Sequence, residues 1–338
     1  MVTAGETRPP LRFLVAPDSF KGTFTATEVA AAVEAGIEDA GAVADLCPIA
    51  DGGEGTAEVL RTALGGSVRR AAAHDPLGRP LEAEFVLLGD GLTAAVDTAA
   101  ASGLPLLAPQ ERDAEAAGTT GTGELIAAAI DAGARSVLLA AGGSATTDGG
   151  RGAIEALRAG GGLHGARLEI LCDVSTRFED AARVFAPQKG ADDAAVARLG
   201  ERLQRYAAEL PRDPRGLPMG GCAGGLSGGL WAAFGARLRP GADYILELLG
   251  FERRLAAADA VVGAEGRIDS QSLEGKALGT IAGLCARQAR DLHVLAGRDE
   301  LDRDLIGELP IRSIREAGTL EALTAAGREI VRESVLSD

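Results

Sequence analysis

Five times along this chain an apolar stretch runs into a short loop that carries a carboxylate, and in most of these loops glycine stands close by. The acids are Asp18 in APDSFKG, Asp51 and Glu54 in ADGGEG, Asp148 in GGSATTDGG, Asp173 in LCDV, and Glu265 with Asp269 in GAEGRIDSQS. A strand, a loop and then a helix is the repeating unit of a parallel α/β sheet. In such sheets ligands gather beyond the carboxyl ends of the strands. Glycine there lets a ligand approach the backbone closely.

The rhythm is clear at both chain ends. Residues 11–16 (LRFLVA) read as a strand, the loop PDSFKG follows, and TATEVAAAVEAGIEDAG reads as a helix capped by Thr25 or Thr27 and stopped at Gly41. Residues 44–50 suggest a second strand, with Pro48 marking an edge or an end. Near the other terminus, ADAVVGAEG, KALGTIAGLCARQAR and DLHVLAG alternate in the same way. The middle changes character: residues 74–96 read as a hairpin around Asp90-Gly91. At 338 residues the chain is long for one core. The expected fold is therefore α/β in two domains. A doubly wound, Rossmann-like parallel-sheet domain comes from 1–72 and 256–338, and an α/β domain of 73–255 is inserted into it.

Composition removes several function classes. A formal charge of −15 and 3% aromatic residues disfavour nucleic acid and offer no stacking platform. No stretch has the apolar length of a membrane span, so a cytoplasmic protein is expected. A homo-oligomer is compatible with the sequence. Cys47, Cys172, Cys222 and Cys285 form no CxxC pair and read as buried thiols. The three histidines suggest neither a zinc site nor a catalytic triad.

Several carboxylates converging on one cleft need cations, and Mg²⁺ bridging phosphates is the natural one. Lys21, Lys189 and Lys276 are the only lysines in the chain, and each sits in a glycine-bearing loop. There a lysine can neutralise phosphate oxygens. Gly142, Gly143, Ser144 and Thr146 offer amide and hydroxyl donors just after a buried strand, which suits a phosphate. The segment is neither a Walker A loop nor GxGxxG. GGCAGGLSGGL (220–230) reads as tight helix packing or a lid.

Taken in order, APDSFKGTFTATEVAAAVEAG, PIADGGEGT, HDPLGRPLEAEF, GGSATTDGGRGAIEAL, LCDV, VFAPQKGAD, GGCAGGLSGGLWAAF and GAEGRIDSQSLEGK resemble the bacterial glycerate kinases, of the glycerate 2-kinase type, over nearly the whole chain. The resemblance implies two α/β domains with a cleft between them, and transfer of the ATP γ-phosphoryl group to D-glycerate with Mg²⁺, usually giving 2-phosphoglycerate. Ser175 to Phe178 replace the family's Asn-Pro-Leu-like stretch, and Ala264 replaces a glycine.

Under that reading Asp18, Lys21 and Asp148 are the catalytic candidates, with Asp18 or Asp148 taking the hydroxyl proton. Ser19, Gly143, Ser144, Thr146 and Lys189 bind phosphate or substrate. Arg79 or Arg267 clamps a carboxylate. Asp51, Glu54, Asp173, Glu265 and Asp269 are candidates for the metal. The alternatives are a kinase of another small hydroxy acid and an inactive ligand-binding relative. A dehydrogenase would need GxGxxG with a downstream ribose-binding acid, and the chain has none.

Overall fold

A computed structural model describes residues 9–273, 276–307 and 309–337. Among them eleven strands form two sheets: β1 (Arg12–Pro17), β2 (Val43–Leu46), β3 (Gly66–His74), β4 (Pro80–Leu88), β5 (Thr93–Asp97), β6 (Ser136–Ala140), β7 (Arg167–Cys172), β8 (Arg237–Pro240), β9 (Ala260–Ile268), β10 (Asp291–Asp299) and β11 (Ile311–Glu316). The chain divides into two compact units, one built from both chain ends, up to Ile49 and from Leu246, and one from Ala50–Ile245.

The unit of the two ends holds the sheet β11-β10-β9-β1-β2, parallel throughout. Phe13, Leu14, Val15 and Ala16 of β1 are fully buried, as a parallel strand covered on both faces requires. Thr25 caps the helix Ala26–Asp39 in a full capping box with Glu28. That helix packs against Leu320–Ser337 so closely that a Cβ on Gly36 would fall 2.0 Å from the Thr324 carbonyl oxygen.

The second unit holds the mixed sheet β3-β4-β5-β6-β7-β8. β5 to β8 run parallel, and β3, β4 and β5 pair antiparallel. The Asp90-Gly91 hairpin forms as expected, with the Asp90 carboxylate accepting from the Leu92 and Thr93 amides.

Two strands were not expected. β3 (GSVRRAAAH) is exposed along most of its length, so it carries no apolar alternation to read. β8 is only four residues long. The units divide at 49/50 and 245/246, earlier than 72/73 and 255/256. The reason is that helix Thr56–Leu64 packs on β4 and β5 of the second unit, although it follows β2 in the chain.

Candidate active site

In the second unit β6 ends at Ala140 and helix Arg151–Ala159 begins eleven residues later. The backbone between them is bent by left-handed Gly143, Gly149 and Gly150. The amides of Gly143, Ser144, Thr146, Thr147 and Asp148 donate to no group among the described residues. The Thr146 and Thr147 hydroxyls are likewise buried without partners. Free donors gathered at a strand end before a helix form a ready cradle for an anion.

Asp148 braces this cradle. Its carboxylate accepts the Thr119 amide at 3.0 Å, the Thr119 hydroxyl at 2.8 Å, and the Gly150 and Gly152 amides at 3.0 Å each. These four donors fix the position of the carboxylate between Thr119 and the start of helix Arg151–Ala159. Arg202 adds a bond from its guanidinium to the Thr147 carbonyl at 3.1 Å. Lys189, 2% exposed, lies behind the loop. Its Nζ donates to Ser144 Oγ at 3.1 Å and to the Thr146 carbonyl at 2.5 Å.

The ADGGEG loop lies against the cradle. Gly142 donates to the Gly52 carbonyl at 3.2 Å, and a Cβ on Gly142 would come within 2.5 Å of Gly53 Cα. Glu54 runs beside Gly143, with its Oε2 3.7 Å from where a Cβ there would stand. Asp51 is buried and accepts the Gly53 amide at 3.0 Å. From β5, Asp97 accepts the Gly55 and Ala57 amides at 2.9 and 3.0 Å and so holds the start of helix Thr56–Leu64. Burial pushes its carboxyl up to about 6, against the pull of those two amides. In the sequence Asp97 carries no glycine signal, since it ends a strand in AVDTAA.

The remaining predicted residues each have their own surroundings. Arg79 is tied to Asp75 and, at 2.7 Å, to Glu111, so its guanidinium holds the turn at 75–79 together. Asp173 follows β7 and is partly buried. In the other unit Asp18 is buried at the end of β1, its amide donating to the Ala264 carbonyl at 2.8 Å and its carboxylate accepting from the Ser19 amide. Lys21, in the same loop, is exposed. Glu265 accepts the Ser272 hydroxyl at 2.8 Å, and Arg267 pairs with Asp269 at 2.9 Å. Among the described residues no three His, Cys, Asp or Glu side chains are grouped to hold a metal. All four cysteines are buried and free.

The sequence pattern of the Glycerate kinase family matches residues 13–162 and 158–334. The chain is 34% identical to the Glycerate 2-kinase of Escherichia coli (strain K12), with 96% of each chain covered. It is 37% identical to the Glycerate kinase of Bacillus subtilis (strain 168), covering 87% of this chain and 86% of that one. A crystal structure of a protein proposed to be glycerate kinase 2 from Salmonella typhimurium LT2 superimposes with a TM-score of 0.83 at 32% identity, over 97% of this chain and 99% of that one.

Proposed function

The chain belongs to the glycerate kinase family, and from that premise we propose that it transfers the γ-phosphoryl group of ATP to a hydroxyl of D-glycerate, giving 2-phosphoglycerate. The observation that carries this reading is the cradle after β6, where the amides of Gly143, Ser144, Thr146, Thr147 and Asp148 have no acceptor among the described residues and the Ser144 hydroxyl stands beside them. Phosphoryl transfer asks a protein mainly to position and neutralise phosphate oxygens, and such a loop does both.

The acceptor hydroxyl attacks the γ-phosphorus, its proton passes to a carboxylate, and the bond to the bridging oxygen of ADP breaks. Asp18 and Asp148 are the two carboxylates we propose for that proton. Lys21 is the basic partner that the loop of Asp18 offers. Mg²⁺ needs one or two carboxylates when phosphate oxygens and water complete its shell. Asp51 and Glu54, beside the cradle, are the residues that would hold it, and it would neutralise charge on the phosphates. No helix among the described residues is long and apolar enough to cross a membrane. A cytoplasmic site of action belongs to the same proposal.

The test is ADP release from ATP with Mg²⁺ and D-glycerate, with the product's phosphate located by phosphorus NMR. Release with glycerate and a 2-phosphate product is expected. Turnover of other hydroxy acids but not glycerate would remove the acceptor assignment, and a 3-phosphate product would correct the position.

A further inference from the structure

Lys189 ends the turn Pro187–Lys189, one of three lysines among 34 basic residues. Its ammonium is enclosed by Ser144 Oγ, the Thr146 carbonyl and the Phe185 ring, whose centre is 5.9 Å away. Among the described residues no carboxylate comes within ion-pair distance of it. Asp148 and Cys222 are the ionisable groups whose charges act on it. Burial pushes the lysine down to about 7, and Asp148 and then Cys222 pull it back up. Burying an unpaired ammonium costs stability. Two bonds to neutral oxygens could be made by an uncharged donor, so those bonds alone do not account for that cost.

Ser144 supplies the missing account. Its oxygen accepts from Lys189, which leaves its one hydrogen to donate elsewhere, and no described residue takes it. We propose that Lys189 is a positioning residue: it fixes the Ser144 hydroxyl as a donor to a phosphate in the cradle and sets a positive charge directly behind that loop, without touching the nucleotide itself. This rests on the phosphate role of the cradle given above. It also revises the expectation that Lys189 contacts phosphate directly, since its side chain is covered.

The experiment compares wild type, Lys189→Met, Ser144→Ala and the double variant. It measures kcat and KM for ATP with D-glycerate, binding of a non-hydrolysable ATP analogue, and thermal midpoints. Lys189→Met should lose on the order of a hundredfold in kcat/KM. Its midpoint should hold or rise, because the buried charge is gone. The double variant should lose no more than the worse single one, as groups acting through one another do. Wild-type kcat/KM should decline as pH rises through about 7, and Lys189→Met should not show that limb.

Unchanged kcat/KM in Lys189→Met, additive losses, or a fall in midpoint that accounts for the lost activity would each overturn the proposal. A wild-type profile flat from pH 6 to 9 would do so even if Lys189→Met failed to fold. A wild type that does not bind the analogue would overturn the cradle reading as well. One that binds and turns over, with Lys189→Met equal to it, would overturn only the role of Lys189.

Discussion

Residues 142–150 and 220–229 are both rich in glycine and follow one another through the same unit, yet their glycines serve different ends. In 142–150 they free the backbone, leaving the amides of Gly143, Ser144, Thr146, Thr147 and Asp148 without an acceptor among the described residues. In 220–229 the space is filled by neighbouring chain. A Cβ on Gly224 would fall 1.9 Å from the Thr146 carbonyl oxygen, and one on Gly229 would fall 2.0 Å from that of Gly149. The second segment holds up the first from behind, and the Gly149 amide donates to the Gly224 carbonyl at 3.1 Å. Glycine thus leaves donors open in one place and makes a close backbone contact in the other. Only the hydrogen-bond ledger tells them apart.

The largest expected effect lies in the supporting segment. Gly229→Ala forces backbone apart and should cost about 3 kcal/mol of stability. Urea melts would show it, and the remaining folded enzyme should keep nearly normal KM for ATP. A stable variant with weakened ATP binding would break the contrast by making 220–229 part of the ligand site.

Next comes pH. The unfolded chain holds the Lys189 proton until about 10.4, whereas the folded chain holds it only until about 7. Above 7 the unfolded state therefore binds more protons, and this residue makes stability rise with pH by at most about 1.4 kcal/mol per unit. The rise should be visible up to about 8.5, where the thiols begin to oppose it. Burial pushes Cys47 up to about 11 and Cys285 to about 12, so the folded state then holds the extra protons. Denaturant melts from pH 7 to 8.5 should show the rise in wild type and in Gly229→Ala, and its loss in Lys189→Met. A rise that survives Lys189→Met would assign it to another group.

The smallest effect on stability, out of proportion to its effect on function, is expected at Gly143. Its φ of +75° makes an alanine there cost about 1 kcal/mol, and the new Cβ would stand 3.3 Å from that of Ala99. Turnover at fixed ATP should nevertheless fall at least about tenfold, since the cradle amides move. Steady-state kinetics beside a melt would reveal the disproportion. Equal fractional losses in both would make Gly143 as structural as Gly229.

Much of this arrangement was legible in the sequence because it rests on local chemistry. The Thr25 cap, the Asp90-Gly91 turn and the loop after β6 each carry their own signal within a few residues. What stayed hidden depends on distant partners. β3 is solvated nearly all along, so burial stamped no pattern on it. Asp97 draws its meaning from amides forty residues upstream. Arg79 suggested a substrate clamp until Asp75 and Glu111 closed on it.

The place of β1 in its sheet has a consequence for how the protein is made. β1 lies between β2 and β9, and β9 begins at Ala260. A ribosome adding about 5–20 residues per second delivers β9 on the order of tens of seconds after β1. Through that interval Phe13, Leu14 and Val15 lack the strand that later covers one flank of β1. The whole of Ala50–Ile245, meanwhile, leaves the ribosome as an unbroken stretch able to close its own sheet. The order of birth is then middle first and ends last, and the nascent first strand becomes a client for whatever shields apolar chain during synthesis.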